Sequence, residues 1–454
     1  MIAPPHIFHQ TRVEMATNGK QASGEQTKAG MVGGRRLRLA IAGFGTVGSA
    51  VARILIEQGA ASPFELAYIL NRRIAKKRVE WMPTSVRWTE EIDEVLDSDI
   101  DVLVELVGGL NPAGTWVRRA LASGKSVVTA NKELIAAEGV ELSELACRHR
   151  QHLAYGASVA GGVPVLSGLQ EGLAGDELVS VSGILNGTCN YILTRMEQAG
   201  ISFSDALVEA QRAGFAEADP SADVDGYDAR AKITILSRVA LGADVDLDTV
   251  LCRSIRAVSA VDLRYAAELG CTIRQISHAE VKEDGLHIAV QPMLVERGLP
   301  HAGVVGPQNI VVSTGRYGGE TTFSGNGAGG GPTAVAVVSD LIALARLGTT
   351  SSESMSPTLR KMIASKEFVM PHYTRYLVRD RPGILAAISQ VLATYAINVD
   401  AVLQLPGHSR EALPFAITLE PSSQQALDAA MAEIGKLHFL AQPPLCLPIL
   451  RKRA

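Results

Sequence analysis

The chain contains 454 residues, of which 47% are hydrophobic and 20% are charged, and its formal net charge is −4. A single core rarely grows beyond about 250 to 300 residues, so this length predicts a globular protein of two or three domains. The acidic balance disfavours nucleic acid as a partner. No apolar run reaches the roughly 18 residues of a membrane span, because Asp340 and Arg346 interrupt the best candidate.

The N-terminal segment and the cysteines both bear on the cellular compartment. Residues 1–35 are rich in Gly, Pro, Gln, Lys and Thr and have no apolar stretch of the signal-peptide type, so we expect a disordered lead-in. The five cysteines are odd in number and show no metal-ligand spacing. This pattern favours a reducing compartment, the cytoplasm, over a disulfide framework or a zinc site.

Short apolar runs alternate with helical stretches over residues 37–164. This alternation is the pattern of a parallel sheet flanked by helices. We therefore expect a Rossmann-like α/β domain formed by residues 36–165 and completed by a later apolar helix at about 332–360. The predicted strands are 37–42, 65–70, 101–106 and 126–129, and the first helix is 46–58.

Residues 166–331 have a different texture, which predicts an α+β domain. We expect the Gly-rich stretch 315–331 to be a closely packed loop, followed by a buried helix at 333–347. A Ser-rich linker, 351–356, then leads to a final module at 371–454. The helical segments of the α+β domain are 204–213 and 227–241, and its clearest extended run is 286–295.

A Gly-x-Gly-x-x-Gly sequence stands between the first strand and the first helix. Alone this pattern is weak, but its place after a strand and before a helix is typical of a dinucleotide site. Gly43 allows the tight turn, Gly45 lets the pyrophosphate approach the backbone, and Gly48 lets helix and strand pack. The helix N-terminus supplies unpaired N–H groups for the phosphates. The predicted cofactor-binding residues are Gly43, Phe44, Gly45, Thr46, Val47 and Gly48.

The end of the second strand bears on the choice between NAD and NADP. An NAD site usually has an acidic residue there, which binds the ribose 2′-hydroxyl, but this chain has Asn71, Arg72 and Arg73. An arginine at that position can pair with a 2′-phosphate. We therefore predict that Arg72 and Arg73 bind NADP, with NAD as the alternative cofactor; a solvated surface loop is the simpler interpretation of both arginines.

Residues 217–232 are unusually dense in carboxylates, and three interpretations compete. A calcium loop is excluded, because the best register puts Lys232 at the twelfth position, where a bidentate Glu is required. A solvated acidic loop is the usual fate of charged residues. The third interpretation is a polar substrate site at the start of a helix.

The helical pattern favours the substrate site. Asp225 and Gly226 stand where a helix N-cap belongs, and Asp228 and Lys232, four residues apart, share one helix face. The following residues are mostly apolar, so Lys232 is predicted at the edge of a buried helix. A lysine there can protonate a carbonyl oxygen as hydride arrives. An exposed ion pair would explain Asp228 and Lys232, but not the acids around them.

Two further residues lie just after predicted strands. Lys132 follows the strand 126–129, and ligands bind at the carboxyl ends of strands in open parallel sheets, so we predict that it contacts substrate or cofactor. A helix-start lysine that faces water is the alternative. Cys189 lies in a polar turn, but no histidine is near it in sequence, so a small buried thiol is favoured over a nucleophile.

Taken together, these motifs resemble the homoserine dehydrogenase family over nearly everything from Arg36 onward. The segment from Gly214 to Lys232 is highly specific. Two positions depart from the family: Gly156 stands where Glu is usual, and Phe215 stands where Tyr is usual. The matching motifs are GFGTVG at Gly43, TANKE at Thr129, ASVAGGVP at Ala157, GILNGTCNYIL at Gly183, GFAEADPSADVDGYDARAK at Gly214, GAG at Gly327 and PTA at Pro332.

The resemblance implies a role for each matching side chain. Lys232 corresponds to the proton-transferring lysine of the family, and Asp228 corresponds to its substrate-site aspartate. Glu217 and Asp223 match carboxylates that hold the amino group of the substrate. Lys132 matches the lysine between cofactor and substrate.

The resemblance also implies a main-chain site for a sodium or potassium ion and a function for the second domain. The carbonyls of Val159, Gly161 and Val163 match the cation site, which Gly156 leaves without the usual neighbouring carboxylate. Residues 166–331 match the substrate-binding and dimerisation domain of the family.

The C-terminal segment resembles an ACT domain. Its opening at Tyr376 is a strand, a tight Asp-Arg-Pro-Gly turn, a helix at 384–395 and an extended run at 397–405. The resemblance implies a regulatory βαββαβ module at 371–454, threonine as the effector, and assembly into a homodimer or homotetramer. The alternative is a module that only holds the oligomer together. Too little chain precedes Leu37 for a fused aspartate kinase, so we expect a monofunctional enzyme.

The activity implied by the resemblance is reversible hydride transfer between NADPH and aspartate 4-semialdehyde, which gives homoserine. The related aspartate-semialdehyde dehydrogenase would need a nucleophilic Cys with a nearby base, and the sequence shows no such pair. A different class of protein is a non-catalytic amino-acid sensor on a degenerate dehydrogenase fold. The intact Gly-rich turn and Lys232 disfavour that alternative.

Overall fold

The computed structural model describes residues 35–348, 359–365 and 367–452. The predicted lead-in, apart from Arg35, and the predicted Ser-rich linker lie outside these residues. Within them the chain forms a parallel-sheet domain, a mixed-sheet domain and a C-terminal βαββαβ module. This agrees with the fold class that the sequence predicts.

The first part, here called the nucleotide domain, is a six-stranded parallel sheet with helices on both faces. Its strands are β1 (Leu37–Ala42), β2 (Phe64–Leu70), β3 (Arg87–Thr89), β4 (Val102–Glu105), β5 (Ser126–Thr129) and β6 (Leu153–Ala154), and its helices are α1 (Thr46–Glu57), α2 (Ile92–Leu96), α3 (Ala113–Ala122) and α4 (Lys132–Arg148). The strand order β3-β2-β1-β4-β5-β6 reverses between β1 and β4, which is where open parallel sheets bind ligands.

The second part, here called the substrate domain, is built on a mostly antiparallel sheet. Its helices are α5 (Val165–Ser167), α6 (Gly187–Ala199), α7 (Phe203–Arg212), α8 (Ser221–Val224), α9 (Tyr227–Leu241) and α10 (Ala260–Glu268), and its strands are β7 (Leu178–Ile184), β8 (Ala243–Asp244), β9 (Leu251–Cys252), β10 (Cys271–Lys282), β11 (Gly285–Glu296), β12 (Gln308–Gly315) and β13 (Gly319–Asn326). Helix α9 packs across this sheet, with Ile233 and Leu236 buried against Val290 and other strand residues.

The prediction of a continuous loop at 315–331 was wrong, because β13 occupies part of that stretch and forms a hairpin with β12. Strand β13 lies at the edge of the sheet, and its residues are mainly Gly, Ser, Thr and other polar types with only partial burial. It therefore lacks the apolar run that marks a buried strand. Backbone pairing with β12, rather than side-chain burial, holds it in place.

After the substrate domain the chain returns to the nucleotide domain through helix α11 (Gly330–Leu347). This helix begins at Gly330 rather than at Thr333, and it packs against α1 with Ala334, Val337 and Leu341 fully buried. Among the described residues it is the one helix with the length and apolar composition of a membrane span. Its buried face belongs to the core of the nucleotide domain, as expected for a core helix.

The C-terminal module joins the substrate domain through a shared sheet. Its elements, after the short strands β14 (Arg360–Lys361) and β15 (Ala364–Ser365), are β16 (Met370–Val378), α12 (Ile384–Thr394), β17 (Val399–Leu403), β18 (Leu413–Ser422), α13 (Gln424–Ile434) and β19 (Leu445–Leu450). The strand order is β19-β16-β18-β17, and β19 also pairs in parallel with β11. One edge of the module is therefore covered by its own chain.

A buried polar contact fixes the module to α10. Asp262 is fully buried and accepts hydrogen bonds from the Tyr373 hydroxyl at 2.9 Å and from Nε of Arg375 at 2.8 Å. The same carboxylate accepts from the N–H and hydroxyl of Ser259, which caps the helix. A buried carboxylate with this many partners is well compensated.

Candidate active site

The turn between β1 and α1 has the geometry that its glycines predict. Gly43 has a φ of +102°, and a Cβ there would lie 2.6 Å from the carbonyl oxygen of Leu106. A Cβ on Gly48 would overlap the carbonyl of Gly43, whereas around Gly45 the described residues leave the Cβ position open to 4 Å. Helix α1 begins at Thr46 without a side-chain cap. Its first N–H groups are therefore available to bind phosphate.

Phe44 and Asn71 tie this turn to the second strand. The Phe44 side chain is buried and packs edge-on against Trp88, with ring centroids 4.9 Å apart, and its N–H donates to Oδ1 of Asn71 over 3.0 Å. Phe44 therefore shapes the turn through its ring. Arg72 and Arg73 follow β2, both exposed, and neither pairs with a carboxylate within the described part of the chain.

Glu105 shapes the loop after β4, across from the turn after β1 at the place where the strand order reverses. The sequence did not reveal this role. Glu105 is fully buried at the end of β4 and accepts hydrogen bonds from the N–H groups of Val107 at 2.7 Å and Gly108 at 3.1 Å. The hydroxyl of Thr129 donates to it over 2.6 Å. An acidic residue that ends an apolar strand was the available signal.

The structure brings three predicted residues into one cluster. Asp228 Oδ1 lies 2.7 Å from Lys132 Nζ, and Asp228 Oδ2 lies 2.7 Å from Lys232 Nζ. Lys232 also donates to the carbonyl oxygen of Leu185 over 2.8 Å. The side chains of Asp228 and Lys232 are 7% and 11% exposed, whereas that of Lys132 is 36% exposed. One buried carboxylate thus bridges an outer and an inner ammonium group.

The charges in this cluster stabilise one another. Burial by itself would raise the pKa of Asp228, but Lys232 and Lys132 together outweigh it and hold that pKa well below its usual value. The charge of Asp228 in turn raises the pKa of Lys132. Both groups are therefore ionised through the neutral range.

Asn186 links the two buried acids, and it too was missed. Its amide donates to Asp223 Oδ1 at 2.6 Å and to Asp228 Oδ2 at 2.8 Å, while its Oδ1 caps α6 by accepting from the N–H of Cys189. Burial raises the pKa of Asp223, against the lowering effect of Asn186. The position of Asn186 between a strand and a helix, inside one of the quoted motifs, was the signal for it.

Two acids of the carboxylate-rich segment lie apart from this cluster. Glu217 is exposed, and its carboxylate forms no ion pair with another described residue. Of the two residues predicted at the N-cap of α9, Gly226 occupies that position, with a φ of +90° and no side-chain cap, and Asp225 does not. The Asp225 carboxylate instead accepts from Ser254 at 2.7 Å and Arg256 at 3.0 Å.

Cys189 is a buried thiol, as the sequence favoured. It is fully buried in α6, and its Sγ donates to the carbonyl oxygen of Asp223 over 3.2 Å. Burial raises the pKa of the thiol well above its usual value, and the nearby charge of Asp223 adds to that rise. Both effects disfavour the thiolate that a nucleophile requires.

A cavity of about 260 Å³ lies where the two domains meet. Lys132 and Lys232 both line it, so the charged cluster faces the space that the nucleotide turn opens onto. The remaining wall comes from α1, the loops after β4, β5 and β6, the Gly-rich segment before α11 and the start of α11 itself. These residues are Val47, Leu106, Val107, Gly108, Ala130, Asn131, Ala157, Ser158, Gly161, Gly327, Ala328 and Thr333.

The main-chain turn predicted to hold a cation adjoins this cavity. Ala160 and Gly161 both adopt left-handed conformations, with φ of +55° and +47°. The carbonyl of Val163 accepts from a backbone N–H two residues on, but those of Val159 and Gly161 accept no hydrogen bond from the described residues. Unpartnered carbonyl oxygens are the donors that alkali cations use, so the turn fits the predicted ion.

A carboxylate from α11 lies beside Gly156, the position where the family usually has Glu. A Cβ on Gly156 would overlap Oδ1 of Asp340, and Oδ2 of Asp340 accepts from the N–H of Ala157 at 3.4 Å. Burial raises the pKa of Asp340 to about 6. The loop that leads into the turn predicted to hold a cation therefore keeps a neighbouring carboxyl group, supplied from another helix.

Three family models match the chain. The model described as "Homoserine dehydrogenase, NAD binding domain" matches residues 43–156, the model described as "Homoserine dehydrogenase" matches 164–342, and the ACT domain model matches 372–439. The curated homoserine dehydrogenase of Synechocystis is 36% identical over 433 residues, which cover 91% of this chain and 99% of that protein. That of Bacillus subtilis is also 36% identical, covering 82% of this chain and 89% of its own length.

Solved structures agree with these sequence matches. A homoserine dehydrogenase from Thiobacillus denitrificans has a TM-score of 0.84 at 33% identity and covers 92% of this chain and 98% of its own. A hyperthermophilic archaeal homoserine dehydrogenase in complex with NADPH has a TM-score of 0.59 at 27% identity and covers 72% of this chain and 100% of its own.

Fold and site together define an NAD(P)-dependent oxidoreductase that carries an ACT domain. A nicotinamide site beside a buried ammonium group provides the hydride donor and the proton donor that reduction of a carbonyl requires. The chain belongs to the homoserine dehydrogenase family, whose members interconvert aspartate 4-semialdehyde and homoserine in amino-acid biosynthesis. The alternative of a non-catalytic sensor is thereby rejected.

Proposed function

We propose that Lys232 supplies the proton in this reaction and that Asp228, itself paired with Lys132, holds Lys232 in position. The observation that carries the proposal is the Lys132–Asp228–Lys232 cluster, whose two lysines line the cavity between the domains. A lysine ammonium has three N–H donors, and Lys232 uses two of them on Asp228 and Leu185. The third can bind the aldehyde oxygen of the substrate.

Negative charge develops on the aldehyde oxygen as the nicotinamide, when bound, supplies hydride to the carbon. An ammonium group within hydrogen-bond reach stabilises that charge and then donates a proton to it. The Asp228 carboxylate pairs with the Lys232 ammonium group and restrains its direction through the 2.7 Å contact. In the oxidation of homoserine the same lysine accepts the proton back.

Asp223 is proposed to bind the amino group of the substrate. Its carboxylate is held by Asn186 but pairs with no cation within the described residues, so an ammonium group would compensate its burial. Glu217 is proposed as the second carboxylate; its exposed side chain would have to approach the cavity when substrate binds.

An activity assay with two matched variants tests this assignment. Asp223→Asn should raise the KM for aspartate 4-semialdehyde with little change in the KM for NADPH. Asp225→Asn is the control, because that nearby acid pairs with Ser254 and Arg256 instead. Equal effects of both variants on the semialdehyde KM would reject Asp223 as the amino-group ligand.

NADP is the proposed cofactor, with Arg72 and Arg73 binding its 2′-phosphate. Both arginines are exposed and pair with no carboxylate of the described residues. They lie at the carboxyl end of β2, close to the turn that Phe44 and Asn71 hold, and this position supports the proposal. Guanidinium groups pair bidentately with phosphate oxygens. NAD remains the alternative cofactor.

A sodium or potassium ion is proposed at the carbonyls of Val159, Gly161 and Val163. The unpartnered carbonyls of Val159 and Gly161 support it. A thermal unfolding series in potassium, sodium and choline chlorides at equal ionic strength tests it without reference to activity. A higher midpoint in the alkali salts than in choline supports the site, and identical midpoints reject it.

The ACT module is proposed to bind threonine, and the chain to assemble into a homodimer or homotetramer. The outer edge of β17 has no partner strand within the described residues, and Val402 on it is about half exposed. An exposed sheet edge is stabilised when a second copy covers it. None of the five cysteines forms a disulfide with another described residue, which supports a cytoplasmic location.

A further inference from the structure

Arg238 reaches from the substrate domain into the nucleotide domain. It lies on α9, and its guanidinium donates from Nη1 to the carbonyl oxygen of Ile135 and from Nη2 to that of Ala136, each over 2.7 Å. Its Nε donates to Oδ1 of Asp244 over 2.7 Å. The Arg238 side chain is only 12% exposed, so these bonds are partly shielded from bulk water.

The two helices that Arg238 joins are the two that carry the charged cluster. Helix α4 begins with Lys132, and Ile135 and Ala136 lie in the next turn of the same helix. Helix α9 carries both Asp228 and Lys232. The helices are therefore held together at two places. One is the Lys132–Asp228 ion pair beside the cavity, and the other is the pair of Arg238 hydrogen bonds to the carbonyls of α4, here called the guanidinium fork.

We propose that Arg238 is a positioning residue for hydride transfer. By locking α4 to α9, it fixes the nucleotide domain against the substrate domain. It would thereby set the distance between the nicotinamide and the aldehyde carbon of the substrate, whose oxygen Lys232 protonates. The inference rests on the proposed function in placing Lys132 and Lys232 at the reacting atoms. Arg238 itself does not line the cavity that those lysines face, so it acts through the two helices.

The contact needs the shape of arginine as well as its charge. A guanidinium presents parallel N–H groups that can bind two neighbouring carbonyls while a third bonds to a carboxylate. A lysine could keep the pairing with Asp244 but could not make the fork. Gly139 lies one turn beyond Ile135, and a Cβ there would lie 3.1 Å from Cγ2 of Ile135 and 3.5 Å from Nη1 of Arg238. A larger side chain at 139 would crowd the guanidinium.

Loosening this contact should affect the hydride step more than cofactor binding. A displacement of about 1 Å between reacting atoms can cost roughly 100-fold in rate. The nucleotide turn and Arg72 lie in the nucleotide domain, so we expect the binding of NADPH to change little. Hydride transfer should then become more rate-limiting, and the kinetic isotope effect on kcat should rise.

The experiment compares two variants with the wild-type chain. Arg238→Lys removes the guanidinium on α9, and Gly139→Leu adds a bulky side chain to α4 beside it. We expect kcat to fall roughly 10- to 100-fold, the KM for NADPH to stay the same, and the primary isotope effect with NADPH deuterated at the transferred hydrogen to increase. Millimolar guanidinium, but not sodium, should partly restore kcat in Arg238→Ala, because a cavity of about 750 Å³ adjoins the residue.

Arg195→Lys is the matched control, because it weakens a similar 2.7 Å ion pair, with Glu209, away from the domain boundary. The proposal would be overturned if the Arg238 and Gly139 variants had an unchanged isotope effect and if, as in this control, their kcat fell only as far as their lower unfolding temperature explains. If the isotope effect rises in the Arg238 and Gly139 variants but Lys232→Ala remains active, Lys232 is rejected as the proton donor and the positioning role of Arg238 stands.

Discussion

Lys132 and Asp228 form a 2.7 Å ion pair across the boundary between the nucleotide domain and the substrate domain. Each domain thus contributes one partner to the charged wall of the cavity, and the cluster is complete only when the domains are in register. Because Lys132 is the more exposed lysine, it can be removed with less damage to the core than Lys232.

We predict that Lys132→Met lowers kcat/KM for aspartate 4-semialdehyde by roughly 10- to 100-fold. Loss of one of the two cations should also let the pKa of Asp228 rise from its depressed value. Activity should therefore begin to fall at a higher pH on the acid side than in the wild type. A pH series of kcat/KM measures both effects; Lys361→Met, at an exposed position, is the control. An acid limb that stays in place would contradict the coupling.

Cofactor preference should depend on the two arginines after β2. A hydrogen bond to a charged group contributes about 1.5 to 3 kcal/mol, so Arg72→Gln combined with Arg73→Asn should lower kcat/KM for NADPH by roughly 10- to 100-fold. Asparagine suits position 73 because the backbone there has a φ of +61°. The kinetics with NADH should not change. Lys77→Gln, in the same exposed segment, is the control, and a wild-type preference for NADH would refute the assignment.

Threonine inhibition should be lost when the turn that opens the ACT module is altered. Gly383 has a φ of +93° at the start of α12, a backbone conformation that a β-branched residue adopts only with strain, so Gly383→Val strains the turn. We expect millimolar threonine to inhibit the wild type but not this variant, while kcat without threonine stays similar. A threonine titration of both proteins decides; an indifferent wild type would show that threonine is not the effector.

Point variants are preferable to removal of the whole module for this test. A truncation at Pro371 would delete Tyr373 and Arg375, which both donate to the buried Asp262. It would also uncover β11, which pairs with β19. An uncompensated buried carboxylate destabilises a fold by several kcal/mol, so lost inhibition in a truncated chain would have two explanations.

His301 should make the substrate domain sensitive to acid. Burial, with a contribution from His278, lowers the pKa of His301 from 6.5 to about 4, and its Nε2 lies 3.0 Å from the Ser182 hydroxyl. The folded state therefore holds neutral histidine, and stability is lost as the pH falls from 6.5 towards 4. At about 1.4 kcal/mol per pKa unit, the loss is on the order of 3 kcal/mol.

Urea unfolding at several pH values measures this effect. His301→Gln should flatten the dependence of the free energy of unfolding on pH between 6.5 and 4 relative to the wild type. His438→Gln, at an exposed position, should leave it unchanged. Parallel curves for His301→Gln and the wild type would mean that His301 does not titrate in this range.

The sequence predicted those parts of the site that depend on local spacing. Asp228 and Lys232 share a helix face because they are four residues apart, and Lys132 follows a strand whose end faces the ligand side of the sheet. The Gly-rich turn was equally accessible, because its strand and helix adjoin it. Each of these inferences needs only the geometry of one or two neighbouring elements.

The remaining parts depend on contacts between distant segments. Asn186 meets Asp223 and Asp228 from positions 37 and 42 residues away. Arg238 reaches the carbonyl of Ala136 across 102 residues, and Asp340 reaches Ala157 across 183. No periodicity in a single sequence encodes such pairings, because they exist only once the domains have packed together.

The rate of hydride transfer in Lys232→Ala tests the central claim most directly. General acid catalysis typically contributes about 10²- to 10⁴-fold, so we predict a kcat at least roughly 100-fold lower, with the KM for NADPH nearly unchanged. Arg230→Met, on the same helix but paired outward with the exposed Asp248, is the control and should keep its kcat. A Lys232→Ala enzyme that turns over aspartate 4-semialdehyde at a rate close to that of the wild type would contradict the account.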